Sequence, residues 1–326
     1  MKRAIAFLAG AFILINLSEA LAQGTSGFEI LRLPTFPRGS ALGGATVADA
    51  GNIESIFYNP AGLRSLQKRT AIAGYMDYVL DIGSGFLAYA EPRGIWGTYG
   101  ASIIYTNYGD FDRRDANGND LGSFSASDLV FALSYAYDFL GKLNVGANGK
   151  FVYSTIEDYV GNALALDLGA QYELIPQRLR LGGGIFNLGV TTRPYVETHE
   201  DLPLYYRLGV SGSPQGLPAM LYFSMTLYQE YADNYSLSNL GGGRFGDFLG
   251  EIYYSLGAEF KPIESFYLRV GYDTQGLDQR AGTRKDALAG VSGGFGFDLT
   301  IARMDFGLAS YGELGLVHRV SVSTGF

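Results

Sequence analysis

The chain holds two histidines, His199 and His318, and no cysteine. A zinc-type site takes His or Cys ligands at close spacing, and neither histidine has a second one nearby. A Ser-His-Asp hydrolase needs its serine paired with a base in a pocket. His318 is followed by Ser321 and Ser323 on an alternating stretch, where an interior or interface position is the default. The cysteine count excludes a disulfide, a thiolate site and a cysteine nucleophile. DANGND (Asp115 to Asp120) has the acidic start of a calcium loop but no downstream Glu at the EF-hand distance, so it reads as an exposed turn. LGGGRFG and RLGGGIF lack the Lys-Ser/Thr of a phosphate loop. These residues point to a protein that is not an enzyme and uses no cofactor. The formal charge of −8, with no basic block, also argues against nucleic acid as a partner.

Six ionisable residues fall at alternating positions instead: Lys150, Asp167, Glu173, Arg207, Glu259 and Arg269. Charges spaced this way share one face of a strand. They are expected to meet in a common interior and pair there, with an ion or ligand path as the sharper reading. The elements that would hold them must therefore be strands.

The rest of the chain supports strands in a membrane. Lys2 and Arg3, the apolar run Ala4 to Leu17 and Ala20-Leu21-Ala22 read as an export signal over 1–22. Forty-six Gly, 24 Tyr and 21 Phe accompany only 17% charged residues, against about a quarter in soluble domains. From 142, Leu143, Val145, Ala147, Phe151 and Tyr153 share one face while Asn144, Gly146, Asn148, Lys150 and Ser154 share the other. From 162, Leu164, Leu166 and Leu168 oppose Asp167, Gly169 and Gln171. From 266, Leu268, Val270 and Tyr272 oppose Arg269, Gly271 and Asp273. A one-residue slip would put charge into lipid, so the register is well specified.

About fourteen such segments follow, near 70–79, 82–91, 95–106, 124–138, 142–156, 161–174, 178–188, 202–212, 218–229, 251–261, 265–274, 286–296, 298–307 and 314–326. Connections after even-numbered segments are short: PRG, FLG, LIPQ, SPQGL, PIE and about one residue near Phe297. Several after odd-numbered ones are long and polar, such as NYGDFDRRDANGNDLGS. Bacterial barrels have short periplasmic turns and longer outer loops. The expectation is an all-β, about 14-stranded antiparallel transmembrane barrel over 70–326, in an outer membrane, with both termini periplasmic. Phe326, ending an amphipathic strand, would be its insertion signal.

Residues 23–69 do not alternate. They carry Pro34, Pro37, paired Gly43-Gly44 and a compact Asn59-Pro60-Ala61-Gly62-Leu63 bend. Ile53, Ile56, Phe57 and Leu63 are too apolar for a solvated tail. A plug or periplasmic hatch seated in the barrel is expected.

The stretch FPRGSALGGATVADAGNIESIFYNPAGL resembles the entry segment of the PorV/PorQ family of FadL-like outer-membrane proteins, most nearly its PorQ branch. The positions that carry it are Arg38, Gly43, Gly44 and Ala45, then Asn59, Pro60, Ala61, Gly62 and Leu63. VGANGKFVYSTIEDY, ALDLGAQYEL and LGAEFKPIESFYLRVGYDTQG resemble later strands in the same order. The resemblance implies a non-enzymatic part in type IX secretion, binding a translocon, cargo or a PorZ-like surface partner. Loop 229–250, with Tyr231, Tyr235, Phe245 and Phe248, suits the partner contact. The alternative is a FadL-type channel for hydrophobic molecules. That needs an apolar interior and a lateral opening, whereas the inward faces read as mostly Gly, Ser, Asn and charged.

Overall fold

The computed structural model describes residues 27–79, 82–114, 117–197, 199–229, 251–279 and 287–326. The export signal over 1–22 and the aromatic residues Tyr231, Tyr235, Phe245 and Phe248 lie outside the described residues.

Among the described residues, fourteen strands alternate in direction: β1 (Thr70–Asp77), β2 (Gly83–Pro92), β3 (Thr98–Arg114), β4 (Asp120–Asp138), β5 (Leu143–Ile156), β6 (Tyr159–Ile175), β7 (Leu179–Arg193), β8 (Tyr205–Gly212), β9 (Ala219–Tyr228), β10 (Tyr253–Ile263), β11 (Phe266–Asp273), β12 (Val291–Asp298), β13 (Arg303–Ser310) and β14 (Leu316–Gly325). Each pairs antiparallel with the next, and β1 pairs with β14 to close the barrel. Closure leaves no open sheet edge.

Side chains alternate across the wall. Leu133, Gly149, Leu166 and Leu188 lie level on neighbouring strands of the outward face. Leu133, Leu166 and Leu188 there are exposed. Phe131, Phe151 and Leu164 form the row beside it. A continuous apolar outer surface of this kind suits hydrocarbon rather than water. The turns after even-numbered strands are short, while 194–204, 229–252 and 274–290 are long.

Two hairpins differ from expectation. The long polar connection between β3 and β4 is mostly strand. The pair runs on from Asp110↔Ser125 to Arg114↔Asp120 past a register shift, and Phe111 stacks on Phe124 at 5.3 Å. At 17 and 19 residues, both strands exceed the roughly 9–11 needed to span a bilayer. The β12–β13 turn is not at Phe297, which pairs with Met304. It covers 299–302 and is closed by Leu299 N donating to Ala302 O at 2.8 Å. Apolar Leu299 and Ile301 conceal that turn in the sequence.

Residues 27–66 line the inside of the barrel, and 67–69 are exposed where the chain enters β1. Helix α1 (Pro37–Ala41) starts on Pro37, whose fixed φ and missing N–H suit a first helical position. Helix α2 (Ser55–Tyr58) leads into a 3-10 turn over Pro60–Ser65. The Asn59 side chain caps that turn, its Oδ1 accepting from Ala61 N at 3.1 Å. Followed along the chain, this segment steps round the wall over inward glycines. Pro37 lies on Gly307 of β13, Leu42 on Gly257 of β10, Val47 and Ala48 on Gly182 of β7, and Pro60–Ala61 on Gly146 of β5. A methyl added at Gly146 would sit 2.5 Å from the Pro60 carbonyl carbon, and one at Gly257 2.7 Å from Leu42 O. Gly43 itself takes φ +63 and presses on Tyr272, so it needs both glycine's backbone freedom and its small size.

Candidate functional site

The interior divides into an apolar and an ionic half. On the apolar side Ile72, Phe86, Ile104, Val130 and Val152 point inward from β1 to β5. They pack on the segment's Phe36, Ile53, Ile56 and Leu63. Phe36 stacks on Phe57 at 3.6 Å and meets Phe86 edge-on at 4.5 Å. The expected inward Gly, Ser, Asn and charged residues are present on the same strands, with Ser84, Ser102, Asp128, Ser134, Asn148 and Ser154 all buried, and this apolar cluster is what that expectation left out. The signal was adjacent apolar pairs, Phe86-Leu87, Ile103-Ile104, Val130-Phe131 and Phe151-Val152. In a strand such pairs cover both faces.

The ionic half is organised by Arg38. Its Nε donates to Glu259 Oε2 at 3.0 Å, and its Nη2 to Glu259 Oε1 at 3.1 Å and Tyr222 OH at 2.9 Å. Nη1 donates to Asp49 Oδ2 at 2.5 Å. The planar guanidinium thus forks onto two carboxylates. Glu259 also accepts from Arg269 Nε at 2.6 Å. Arg269 Nη2 lies 2.7 Å from Asp305 Oδ1, an ion pair not aligned as a hydrogen bond. Asp305 is held by Arg303 Nε at 2.9 Å. Glu54 accepts from Gly39 N at 2.8 Å and Arg38 N at 3.2 Å. Burial, then the nearby Asp305, push its carboxyl up to about 7 against the pull of Arg38 and the Gly39 N–H.

A second ionic group sits at a β-bulge. Leu166 pairs with Leu188 and Leu168 with Ile185, so Phe186 and Asn187 both oppose Asp167. Asp167 Oδ2 lies 2.7 Å from Lys150 Nζ and accepts from Asn148 Nδ2 at 2.9 Å. Asp167 Oδ1 accepts from Asn187 N at 2.9 Å. The β7–β8 ladder stops at Phe186↔Tyr205, while β7 continues along β6 as far as Asn162↔Arg193.

No family model and no curated protein matches the chain. Among solved structures, the Ralstonia pickettii toluene transporter TbuX superposes with a TM-score of 0.60 at 15% identity, over 89% of this chain and 98% of that one. The CymD monoaromatic hydrocarbon channel gives 0.58 at 15%, over 90% and 97%. A Pseudomonas aeruginosa FadL homologue gives 0.58 at 12%, over 90% and 99%. The fold is that of a FadL-like outer-membrane barrel.

In this FadL-like barrel all six expected charges point inward. Lys150–Asp167 and Glu259–Arg269 are pairs. Arg207 instead donates to Thr226 Oγ1 at 2.8 Å and lies over the Tyr205 ring, and Glu173 meets Arg180 at 3.4 Å near the short turns. Arg38, Gly43, Asn59, Pro60, Gly62 and Leu63 are all in the inner segment. Asn59 Nδ2 donates to Val47 O at 2.7 Å and to Ala170 O on the wall at 3.2 Å. Gly44, at φ +74, has open space where a Cβ would stand. Phe326 is exposed at the rim, its ring 6.4 Å from Tyr89 and its N–H donating to Arg69 O at 2.9 Å. His318 is outward, 6.3 Å from the Phe306 ring, whereas Ser321 is inward and buried. A strand's period of two keeps them on opposite faces. Asp49, Asp305, Arg303 and Arg319 complete the interior and were not singled out from the sequence.

Proposed function

We propose that this protein is an outer-membrane channel for small apolar molecules, with the short turns and both termini in the periplasm. The apolar half of the interior carries the reading. A hydrocarbon gains from contact with Phe36, Phe57 and Phe86, and a polar solute does not. Residues 27–69 act as a plug on the axial path, seated by Arg38 and Asn59. The missing β7–β8 pairing beyond Phe186↔Tyr205 supports a side exit next to the bulge. Exposed Ile95, Trp96, Phe139 and Leu140 in the short turns suit anchoring in the inner-leaflet interface. The similar barrels TbuX, a toluene transporter, and CymD, a monoaromatic hydrocarbon channel, agree with this solute class. The test is toluene uptake by intact Gram-negative cells lacking hydrocarbon channels. Expression should raise the initial rate above that of vector-only cells, and equal rates refute the reading.

The second reading is a type IX secretion scaffold, favoured by the Arg38 to Leu63 motif of the plug. It expects a PorZ-like surface protein, translocon or cargo to co-purify from a host with that system. A barrel that comes down alone counts against it.

A further inference from the structure

The network around Arg38 holds one carboxyl more than it pairs. Arg38, Arg269 and Arg303 are joined by ion pairs to Asp49, Glu259 and Asp305, so these six charges balance. Glu54 is the surplus carboxyl. It is buried, and among the described residues no cation lies within ion-pair distance of it. Asp305 of β13, Arg269 of β11, Arg38 of α1 and Tyr58 of α2 are the charged and titratable groups within its electrostatic reach. Its own hydrogen bonds come from the backbone N–H groups of Arg38 and Gly39, at the start of α1. The neighbouring Tyr58 ring packs on Gly39. Glu54 and Tyr58 thus tie the start and the end of α2 to α1.

The ends of this stretch are held separately. Asp49 is paired with Arg38, and Asn59 donates to Val47 O and Ala170 O. Between them Phe57 is half-buried and stacked on Phe36 at 3.6 Å. A neutral Glu54 leaves the network balanced. An ionised one adds a negative charge that burial and the facing Asp305 both oppose. Asp305 is fixed in the wall, whereas Glu54 can reach water if α2 moves. We propose that Glu54 is a proton-operated latch: protonated, it holds α2 against α1, and on losing its proton to water it lets residues 50–58 swing away between the fixed Asp49 and Asn59, parting Phe57 from Phe36. Helix α1 stays in place, because Arg38 keeps Asp49 and Glu259. The latch needs residues 27–69 to be a plug but not any particular solute.

The closed form holds the Glu54 carboxyl at about 7 against an ordinary 4.5. Opening is therefore favoured as the pH rises from 4.5 to 7, and no further once both forms are ionised. Between about pH 5.5 and 8.5 the open fraction should grow about 30-fold.

The test is the rate at which a water-soluble methanethiosulfonate modifies Ser55→Cys in the folded full chain in liposomes. Ser55 is buried in α2. Dividing by the rate at exposed Gln67→Cys removes the pH dependence of the thiol itself. The ratio should rise about 30-fold over that range and level off above about pH 8. Adding Glu54→Gln should leave it flat, and Ser40→Cys in α1 should stay unmodified throughout. A flat ratio with Glu54 present, or the same rise with Glu54→Gln, overturns the latch. If Glu54→Gln lacks the heat-modifiable mobility of a folded barrel, the shape of the curve decides. A ratio still climbing well above about pH 8 reports general loosening in base and overturns it. Modification of Ser40→Cys in step with Ser55→Cys means that the whole plug leaves, which overturns the assignment to α2. A rising ratio in a barrel that takes up no toluene removes the channel reading and leaves the latch; uptake with a flat ratio does the reverse.

Discussion

Replacing Asn59 by Ala removes three hydrogen bonds from a side chain that is fully buried. Ala61 N loses its cap at 3.1 Å and Ala170 O loses its donor at 3.2 Å. Val47 O keeps one, because Gln171 Nε2 also donates to it at 3.1 Å. An N-cap is worth about 0.5–2 kcal/mol. The other two bonds add about 0.5–1.5 kcal/mol each, at the low end for the shared Val47 carbonyl. The expected loss is therefore about 1.5–4 kcal/mol. Urea titration of the folded barrel, followed by heat-modifiable mobility, reads it as a lower midpoint with an unchanged slope. Gln67→Ala, on an exposed side chain, is the control and should move stability by less than about 0.5 kcal/mol. If Asn59→Ala matches that control, the segment is not seated through this residue and the reasoning fails.

Gly146→Val should lose several-fold in folded yield, because the new side chain meets the Pro60–Ala61 backbone. Gly149→Val, three residues on but outward with open space, should fold like wild type in the same assay. Arg38→Met leaves Asp49 without a cation in the interior and Glu259 with Arg269 and the more distant Arg303, and should cost about 3–5 kcal/mol in urea titration. Glu54 is held at about 7 in the fold against an ordinary 4.5, so between those values the folded state keeps a proton that the unfolded chain has lost. Its contribution is complete below pH about 4.5 and disappears as the pH rises through 7, by up to about 3 kcal/mol. Glu54→Gln should flatten that fall in midpoint against pH, and a parallel fall in both proteins contradicts it.

The barrel was legible because strand periodicity is local. Leu164, Leu166 and Leu168 against Asp167 and Gly169 fix both the strand and its faces, and loop lengths fix which ends meet. The β3–β4 hairpin was missed because Asp110, Asp112 and Asp120 mark a solvated loop, although Phe111 and Phe124 pair beyond the membrane span. The interior was legible as a list of inward charges, not as a network. Arg38 and Glu259 are 221 residues apart, and alternation tells which face a residue takes but not what crosses the lumen to meet it. Part of the high glycine content has its explanation in the fold, since Gly146, Gly182, Gly257 and Gly307 are the surface on which residues 37–61 lie.

Because the chain has no cysteine, single cysteines give a clean measurement of where residues 27–69 sit. A membrane-impermeant maleimide would be added to intact cells, permeabilised cells and urea-unfolded protein carrying Ser40→Cys, Gln67→Cys or Asp112→Cys. Ser40 is buried against the wall and should label only after unfolding. Gln67, exposed near the short turns, should label once cells are permeabilised, and Asp112, on the projecting hairpin, in intact cells. Labelling at position 40 in the folded barrel would contradict a plug seated in the lumen.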